Sequence, residues 1–145
     1  MEINLDITIN RPVAEVFDYF VAPKNLKNWV YDFNRFLPVK GKNRRKGDKA
    51  KHIFGKGKNK LEVVEEVLEN KRHEVFEVFM SVKNMHSLNT YTFESLEDNS
   101  TRIMLHLDIK MKPAILNLVS PIMKGSFKSQ QSRDLRKLKE VLENK

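Results

Sequence analysis

The sequence predicts an α+β domain in which an antiparallel sheet of about seven strands curls around one long C-terminal helix. Two observations carry this prediction. Strand-like runs follow one another with only short turn signals between them, and one long helical pattern closes the chain. Consecutive strands joined by short turns pair antiparallel, and a lone helix must bury its apolar face on their sheet. The length of 145 residues suits a single domain spanning residues 1–145.

The chain opens with one strand and two short helices. In residues 3–9 isoleucine and leucine alternate with polar residues, which is the period of a half-buried strand. Pro12 suits the first turn of a helix. The next apolar residues recur at the spacing of one helical face: Val13, Val16, Phe17 and Phe20. Pro23 begins a second short helix, which presents Leu26 and Trp29.

Six strand-like runs follow, separated by glycine, asparagine and serine turn signals. They read FLPVKGK, KAKHIF, KLEVVEEVLEN, HEVFEVFMSV, MHSLNTYTFESL and TRIMLHLDIKM. The last run has a clear apolar face that begins at Ile103. In the HEVFEVFM run we take Phe76, Val78 and Met80 as the inner face. The KLEVVEEVL run has apolar and acidic residues in both alternations, so its inner face stays open.

Residues 113–143 are predicted to form a helix with a weak point. A helix over residues 113–143 would be ~46 Å long, and its apolar stripe is interrupted at Gln130 and Gln131. Pro121 and Gly125 both disfavour a helix interior. Two interpretations fit: Ser120 caps a new helix that has Pro121 at its first position, or one continuous helix is kinked. In either case we expect residues 113–127 to be held less firmly than the helix end, as a mobile cover or as a bent helix over a filled core.

Three stretches resemble the START-related superfamily of helix-grip proteins, which includes the polyketide cyclase/dehydrase and lipid-transport proteins. ITINRPVAEVFDYFVAPKNLKNWV is similar to the family's opening strand and helices. NSTRIMLHLDI is similar to its last turn and strand, and DLRKLKEVLE to the end of its long helix. The resemblance implies a helix-grip fold with a deep hydrophobic cavity between sheet and helix. In that family the cavity holds lipids, sterols, polyketides or other apolar molecules, and a minority of members catalyse reactions there.

The candidate cavity lining is a set of mostly apolar side chains on the expected inner faces. It comprises Trp29, Phe54, Phe76, Val78, Tyr91, Phe93, Leu105, Leu107, Leu116, Met123 and Phe127. Asn89 and Tyr91, together with Gln130 or Gln131, would orient a ligand that is otherwise apolar.

The positive charge of the chain is concentrated in one segment. The net charge is +8, and residues 40–60 contain ten Lys/Arg and one Asp. Three interpretations fit this segment: a solvated hairpin that protects a sheet edge, a contact with an anionic membrane, or a surface that binds RNA or the ribosome. The candidate basic surface is Arg44, Arg45, Lys46, Lys56 and Lys58.

The sequence gives little indication of catalysis. The four histidines lack metal-ligand spacing, and we predict no catalytic residue, metal or cofactor. An inward-facing His52 with Tyr91, or Glu65 or Glu77 as a buried acid, would be the basis of a cyclase-like enzyme. The chain has no cysteine and no apolar run near membrane-spanning length, and its N-terminus does not read as a signal peptide. We therefore expect a cytoplasmic carrier of an apolar small molecule or lipid, of unspecified oligomeric state.

Overall fold

The computed structural model describes residues 1–112 and 120–145, and of residues 120–123 the backbone alone. Seven antiparallel strands form one open sheet in the order β1-β7-β6-β5-β4-β3-β2. The strands are β1 (Glu2–Ile9), β2 (Phe33–Lys40), β3 (Lys49–Phe54), β4 (Leu61–Lys71), β5 (Val75–Val82), β6 (Met85–Ser95) and β7 (Thr101–Met111). The helices are α1 (Val13–Val21), α2 (Leu26–Trp29) and α3 (Ser120–Glu143). The predicted α+β helix-grip architecture is confirmed.

The two ends of the sheet have different neighbours. The β3–β4 hairpin and the β5–β6 turn lie at one end, which we call the hairpin end, where the Lys112 N–H donates to the Asn84 carbonyl at 2.7 Å. The β2–β3 loop and the β6–β7 turn lie at the other, the loop end. There the Asn10 N–H donates to Glu143 Oε2 at 2.7 Å. Helix α3 therefore runs from the hairpin end toward the loop end.

The hydrophobic core occupies the loop-end half of the space between sheet and helices. Leu135, Leu138 and Leu142 of α3 are buried there, at the i, i+3, i+7 spacing of one helical face. Phe17 and Phe20 of α1 are also buried, and Phe17 packs edge-on against Phe93 with ring centroids 4.9 Å apart. Helix α1 thus covers part of the inner sheet face.

The inner faces of the strands follow the expected alternation. The structure also shows which face of β4 points inward, which the sequence left open. Phe76 and Val78 are buried on β5, and Met80 packs against the core, as predicted. On β4 the buried positions are Glu65 and Val67. A register shift between Val67 and Glu69 marks a bulge, which bends an antiparallel strand locally. One glutamate of β4 therefore points toward the helices.

The long helix was predicted over residues 113–143, and its described part, Ser120–Glu143, is helical. Residues 113–119, with Leu116, lie outside the described residues, as does the side chain of Met123. The predicted weak point at Pro121, its two interpretations and the mobile cover depend on that same segment, so they stay predictions.

Candidate functional site

A cavity of about 480 Å³ lies between the inner sheet face and the first half of α3. Its wall is mostly apolar and includes Phe20, Leu26, Met80 and Ile109. Ligand pockets of small-molecule binders typically measure ~300–1,000 Å³. The space is therefore large enough for a small ligand.

Most of the predicted lining residues surround this cavity. The structure places these predicted residues on its wall: Trp29, Phe54, Val78, Asn89, Tyr91, Leu107, Phe127, Gln130 and Gln131. Trp29 stacks on Phe20, with ring centroids 5.2 Å apart. The contact of any of these residues with a ligand stays a prediction.

Three predicted lining residues belong to the core instead. Phe76, Phe93 and Leu105 are buried and are absent from the described cavity wall. Phe76 and Phe93 both pack against Phe20, with centroid separations of 5.7 and 5.2 Å. The alternation of a strand gives the face of a residue but not its position relative to α1. Because α1 covers the loop-end part of that face, these side chains lie behind the helix.

A buried polar cluster lies on the cavity wall among the apolar side chains. Arg44, His52 and Glu65 line the cavity and are only 5, 4 and 1% exposed. The Arg44 guanidinium donates to both carboxylate oxygens of Glu65, from Nε to Oε1 at 3.1 Å and from Nη2 to Oε2 at 2.7 Å. A third bond runs from Arg44 Nη1 to the Val21 carbonyl at 3.1 Å. The guanidinium also lies 4.6 Å from the ring centroid of Phe76.

The charge of Glu65 is stabilised by this cluster. Burial alone would raise the pKa of Glu65, but the charge of Arg44 and the neighbouring His52 outweigh burial and lower it to about 2. His52 Nε2 lies 3.2 Å from Glu65 Oε2, without hydrogen-bond alignment. Apolar side chains of similar size would commonly stabilise the fold as well as or better than this buried ion pair.

Arg44 corrects the predicted basic surface. It was expected to be exposed with its neighbours, but its side chain is buried beneath the end of α1. Its backbone has a φ of +54°. This left-handed conformation costs a non-glycine residue ~1–3 kcal/mol and persists only where the surroundings enforce it. The Arg44 carbonyl accepts a bond from Asn70 Nδ2 at 2.7 Å, which helps to hold the loop in place.

The remaining basic residues do not form one surface. Arg45 and Lys46 lie in the β2–β3 loop, whereas Lys56 and Lys58 lie in the β3–β4 hairpin at the opposite end of β3. A strand of six residues separates the two groups by ~20 Å. Lys46 is also paired with Glu69 at 3.5 Å. The segment 40–60 therefore supplies two separate basic surfaces.

Strand β6 places neutral polar groups next to the ion pair of Arg44 and Glu65. Ser87 Oγ donates to Asn89 Oδ1 at 2.7 Å, which leaves the Asn89 amide nitrogen to act as a donor. Burial raises the pKa of the neighbouring Tyr91 phenol, although the charge of Arg44 and a hydrogen bond with Asn89 act in the opposite direction. The Tyr91 hydroxyl is therefore protonated at neutral pH.

Asp134 of α3 also lines the cavity and is absent from the predicted lining. Its Oδ1 accepts the Tyr31 N–H at 3.1 Å, and the Arg133 guanidinium lies 3.9 Å from the ring centroid of Tyr31. Burial raises the pKa of Asp134 to about 6, against the smaller effects of that hydrogen bond and of Arg133. Phe127, Gln130 and Asp134 follow i, i+3, i+7 spacing, so the helical stripe would have identified it.

In the described part of the chain, residues 1–112 and 120–145, no three His, Asp or Glu side chains come together as metal ligands. None of the helices within these ranges is long and apolar enough to cross a membrane.

The comparisons with known proteins agree with this architecture. The family model described as polyketide cyclase/dehydrase and lipid transport matches residues 1–143. The chain belongs to this family. No curated protein matches the sequence. The family and its fold suggest that the chain binds a hydrophobic ligand.

Solved structures that resemble the chain include proteins from several bacteria. A conserved protein from Geobacillus kaustophilus has a TM-score of 0.81 at 14% identity, over 99% of this chain and 96% of that chain. The protein TTHA0849 from Thermus thermophilus has a TM-score of 0.77 at 17% identity, over 97% of this chain and 95% of that chain. The di-domain ARO/CYC BexL from the BE-7585A biosynthetic pathway has a TM-score of 0.78 at 14% identity, over 99% of this chain and 46% of that chain. At these identities the likeness shows the shared fold.

Proposed function

We propose that the protein binds or carries a hydrophobic small molecule or lipid in the cavity, and that it docks on anionic membranes to exchange this ligand. The observation that carries the binding proposal is the mostly apolar cavity of about 480 Å³ with a few polar groups on its wall. Such a composition is typical of sites that bury an apolar ligand and orient it through a few hydrogen bonds. Membership of the family supports the same ligand class.

The docking proposal rests on the residues around the hairpin end. Seven exposed lysines surround it, which we call the lysine rim: Lys56, Lys58, Lys60, Lys83, Lys112, Lys124 and Lys128. Tyr31 and Leu61 also border the cavity there and are 62 and 48% exposed. Exposed apolar side chains among lysines suit the surface of a membrane that carries anionic lipids, where each Lys or Arg contributes ~1 kcal/mol. A ligand that passes through this end would then move directly between cavity and bilayer.

The predicted alternative, binding of RNA or the ribosome, has less support from this arrangement. It depended on a contiguous basic tract, and the tract is divided between the two ends of β3, with Arg44 buried.

A pair of methionine variants tests ligand binding. Met80 lies on the cavity wall and Met104 on the outer sheet face, and both are half-buried. We expect Met80→Trp to fill the cavity and weaken binding of the neutral dye N-phenyl-1-naphthylamine, whereas Met104→Trp leaves binding unchanged. Native mass spectrometry of the purified protein should show a bound apolar molecule. A protein that carries no such molecule and does not bind the dye would contradict the binding proposal.

Two charge-matched variants test the docking surface. Replacing Lys56, Lys58 and Lys60 by Gln removes three charges from the lysine rim, and replacing Lys42, Arg45 and Lys46 by Gln removes three from the loop end. The first triple variant should lose ~3 kcal/mol of affinity, about a hundredfold, for vesicles with about a third phosphatidylglycerol. The second should bind nearly as the unmodified protein does. Equal losses in vesicle co-sedimentation would show that only net charge matters and would exclude this docking surface.

A further inference from the structure

We infer that the cavity selects ligands whose polar end is an uncharged hydrogen-bond acceptor, such as an ester or ketone carbonyl, over ligands that end in a carboxylate or phosphate. This inference rests on the proposed function and names the ligand class more narrowly. It is carried by two features of the wall around Arg44: the donors that remain unused there, and the balance of charges close to them.

The first feature is a surplus of donors. A guanidinium has five N–H groups, and Arg44 uses three of them on Glu65 and Val21. The other two have no acceptor among the residues that the structure describes. The Asn89 carbonyl oxygen accepts from Ser87 at 2.7 Å, so the Asn89 amide nitrogen acts as a donor. Tyr91 lines the cavity, and its hydroxyl donates to no acceptor among the described residues, so it too can donate to a ligand.

The second feature is the absence of net positive charge near these donors in the described part of the cavity. The charge of Arg44 is matched by that of Glu65 through two hydrogen bonds. Asp134 adds a further carboxylate to the same wall, and Arg133, which also lines the wall, lies 4.0 Å from this carboxylate with its side chain 46% exposed. His52 Nε2 lies 3.2 Å from Glu65 Oε2, beside the same carboxylate.

An anionic ligand end would therefore lose its hydration without gaining an unpaired cation. Burying an ion without a counter-charge is far more costly than burying a neutral carbonyl that accepts hydrogen bonds. The lysine rim lies at the hairpin end, outside this cluster, so the charges that attract an anionic membrane are not those that meet the ligand's polar end.

The test compares methyl dodecanoate with dodecanoate, which share an acyl chain and differ in charge. Trp29 is the only tryptophan of the chain and lines the cavity, so its fluorescence reports binding. We expect the ester to bind at least tenfold more tightly than the carboxylate near neutral pH. Equal binding, or tighter binding of dodecanoate, would overturn the inference while leaving the proposed function intact. If neither probe nor the neutral dye binds, the proposed function fails, and the inference with it.

Two tyrosine variants locate the acceptor subsite. Tyr91→Phe removes the free hydroxyl and should weaken ester binding threefold to tenfold, the usual range for one neutral hydrogen bond, without changing dodecanoate binding. Tyr19→Phe is the matched control, because Tyr19 is equally buried but its hydroxyl is bonded to Asn28 at 3.1 Å, away from the cavity wall. An unchanged ester affinity in Tyr91→Phe would refute the subsite. Should that variant not fold, the ester-to-carboxylate ratio of the unmodified protein still decides the matter.

Discussion

Replacing Arg44 by methionine should destabilise the protein strongly near pH 7 and only weakly near pH 4. The side chain of Met occupies similar space but leaves the Glu65 carboxylate buried without its cation. Glu65 must then take up a proton in order to stay buried. With an unfolded pKa of ~4.3, protonation near pH 7 costs about 1.36 kcal/mol for each of ~2.7 pH units, which is about 4 kcal/mol. Measured costs of breaking buried pairs are similar, ~3–5 kcal/mol.

The sign of the pH dependence follows from the unmodified protein. The pKa of Glu65 is lowered to about 2 in the fold. Its contribution to stability is therefore complete above the unfolded pKa and is lost as the pH falls toward about 2. In Arg44→Met the protonated carboxyl is the folded form, so acidification relieves the penalty. The difference between the two proteins should shrink as the pH falls from about 7 to about 4.

Urea denaturation at the two pH values measures this difference directly. The double variant Arg44→Met/Glu65→Leu removes both charges and should recover most of the lost stability, because apolar replacements of buried pairs are commonly neutral or stabilising. A loss below about 1 kcal/mol near pH 7, or an equal loss at both pH values, would show that the pair is solvated like a surface ion pair. Either result would refute the buried cluster on which the ligand-class inference depends.

Two further substitutions in α3 have calculable effects. Asp134→Asn should stabilise the protein by up to about 3 kcal/mol near pH 7 and by little near pH 4. The reason is that burial raises the pKa of Asp134 to about 6, so the folded state favours the protonated group. Thermal melts at both pH values measure the gain, and a gain that is largest in acid would contradict this prediction. Gly125→Ala should add ~0.5–1 kcal/mol of stability, because Gly125 is exposed within the helix and, apart from the local helix backbone, a Cβ there meets no atom of the described residues within 4 Å. A lower denaturation midpoint for that variant would contradict a helical, solvated Gly125.

The fold could be predicted from the sequence because its patterns are local. The strands from β2 to β7 are separated by turn residues, and two turns that need a left-handed residue have Asn84 and Asn99, with φ of +65° and +62°. Beyond Gln131 the apolar stripe of the predicted helix consists of Leu135, Leu138 and Leu142, and these residues form the buried face of α3. Each of these features depends on residues that are close together in the sequence or on one hydrophobic periodicity, so a single sequence contains the necessary information.

The polar cluster could not be predicted in the same way, because its members come from separate segments. Arg44 lies in a run of basic residues that looks solvated, and only the tertiary structure turns it inward. Glu65 lies in VVEEV, where both alternations are chemically similar, and pairing with β3 and β5 determines the face. Asp134 differs, because it continues the helical stripe of Phe127 and Gln130 and could have been found from that spacing.

The two halves of helix α3 face different surroundings, the hydrophobic core and the cavity. Beyond Asp134 its inner face is leucine and completes the core, whereas from Phe127 to Asp134 the same face carries polar groups and borders the cavity. A helix whose whole inner face was apolar would close over a filled core, since apolar side chains are driven from water wherever they can pack. Gln130, Gln131 and Asp134 on this face do not contribute the stabilisation that buried apolar side chains would. This loss of stability is consistent with a wall that faces a ligand. It also explains why a substitution such as Asp134→Asn should raise the stability of the protein while altering its ligand selectivity.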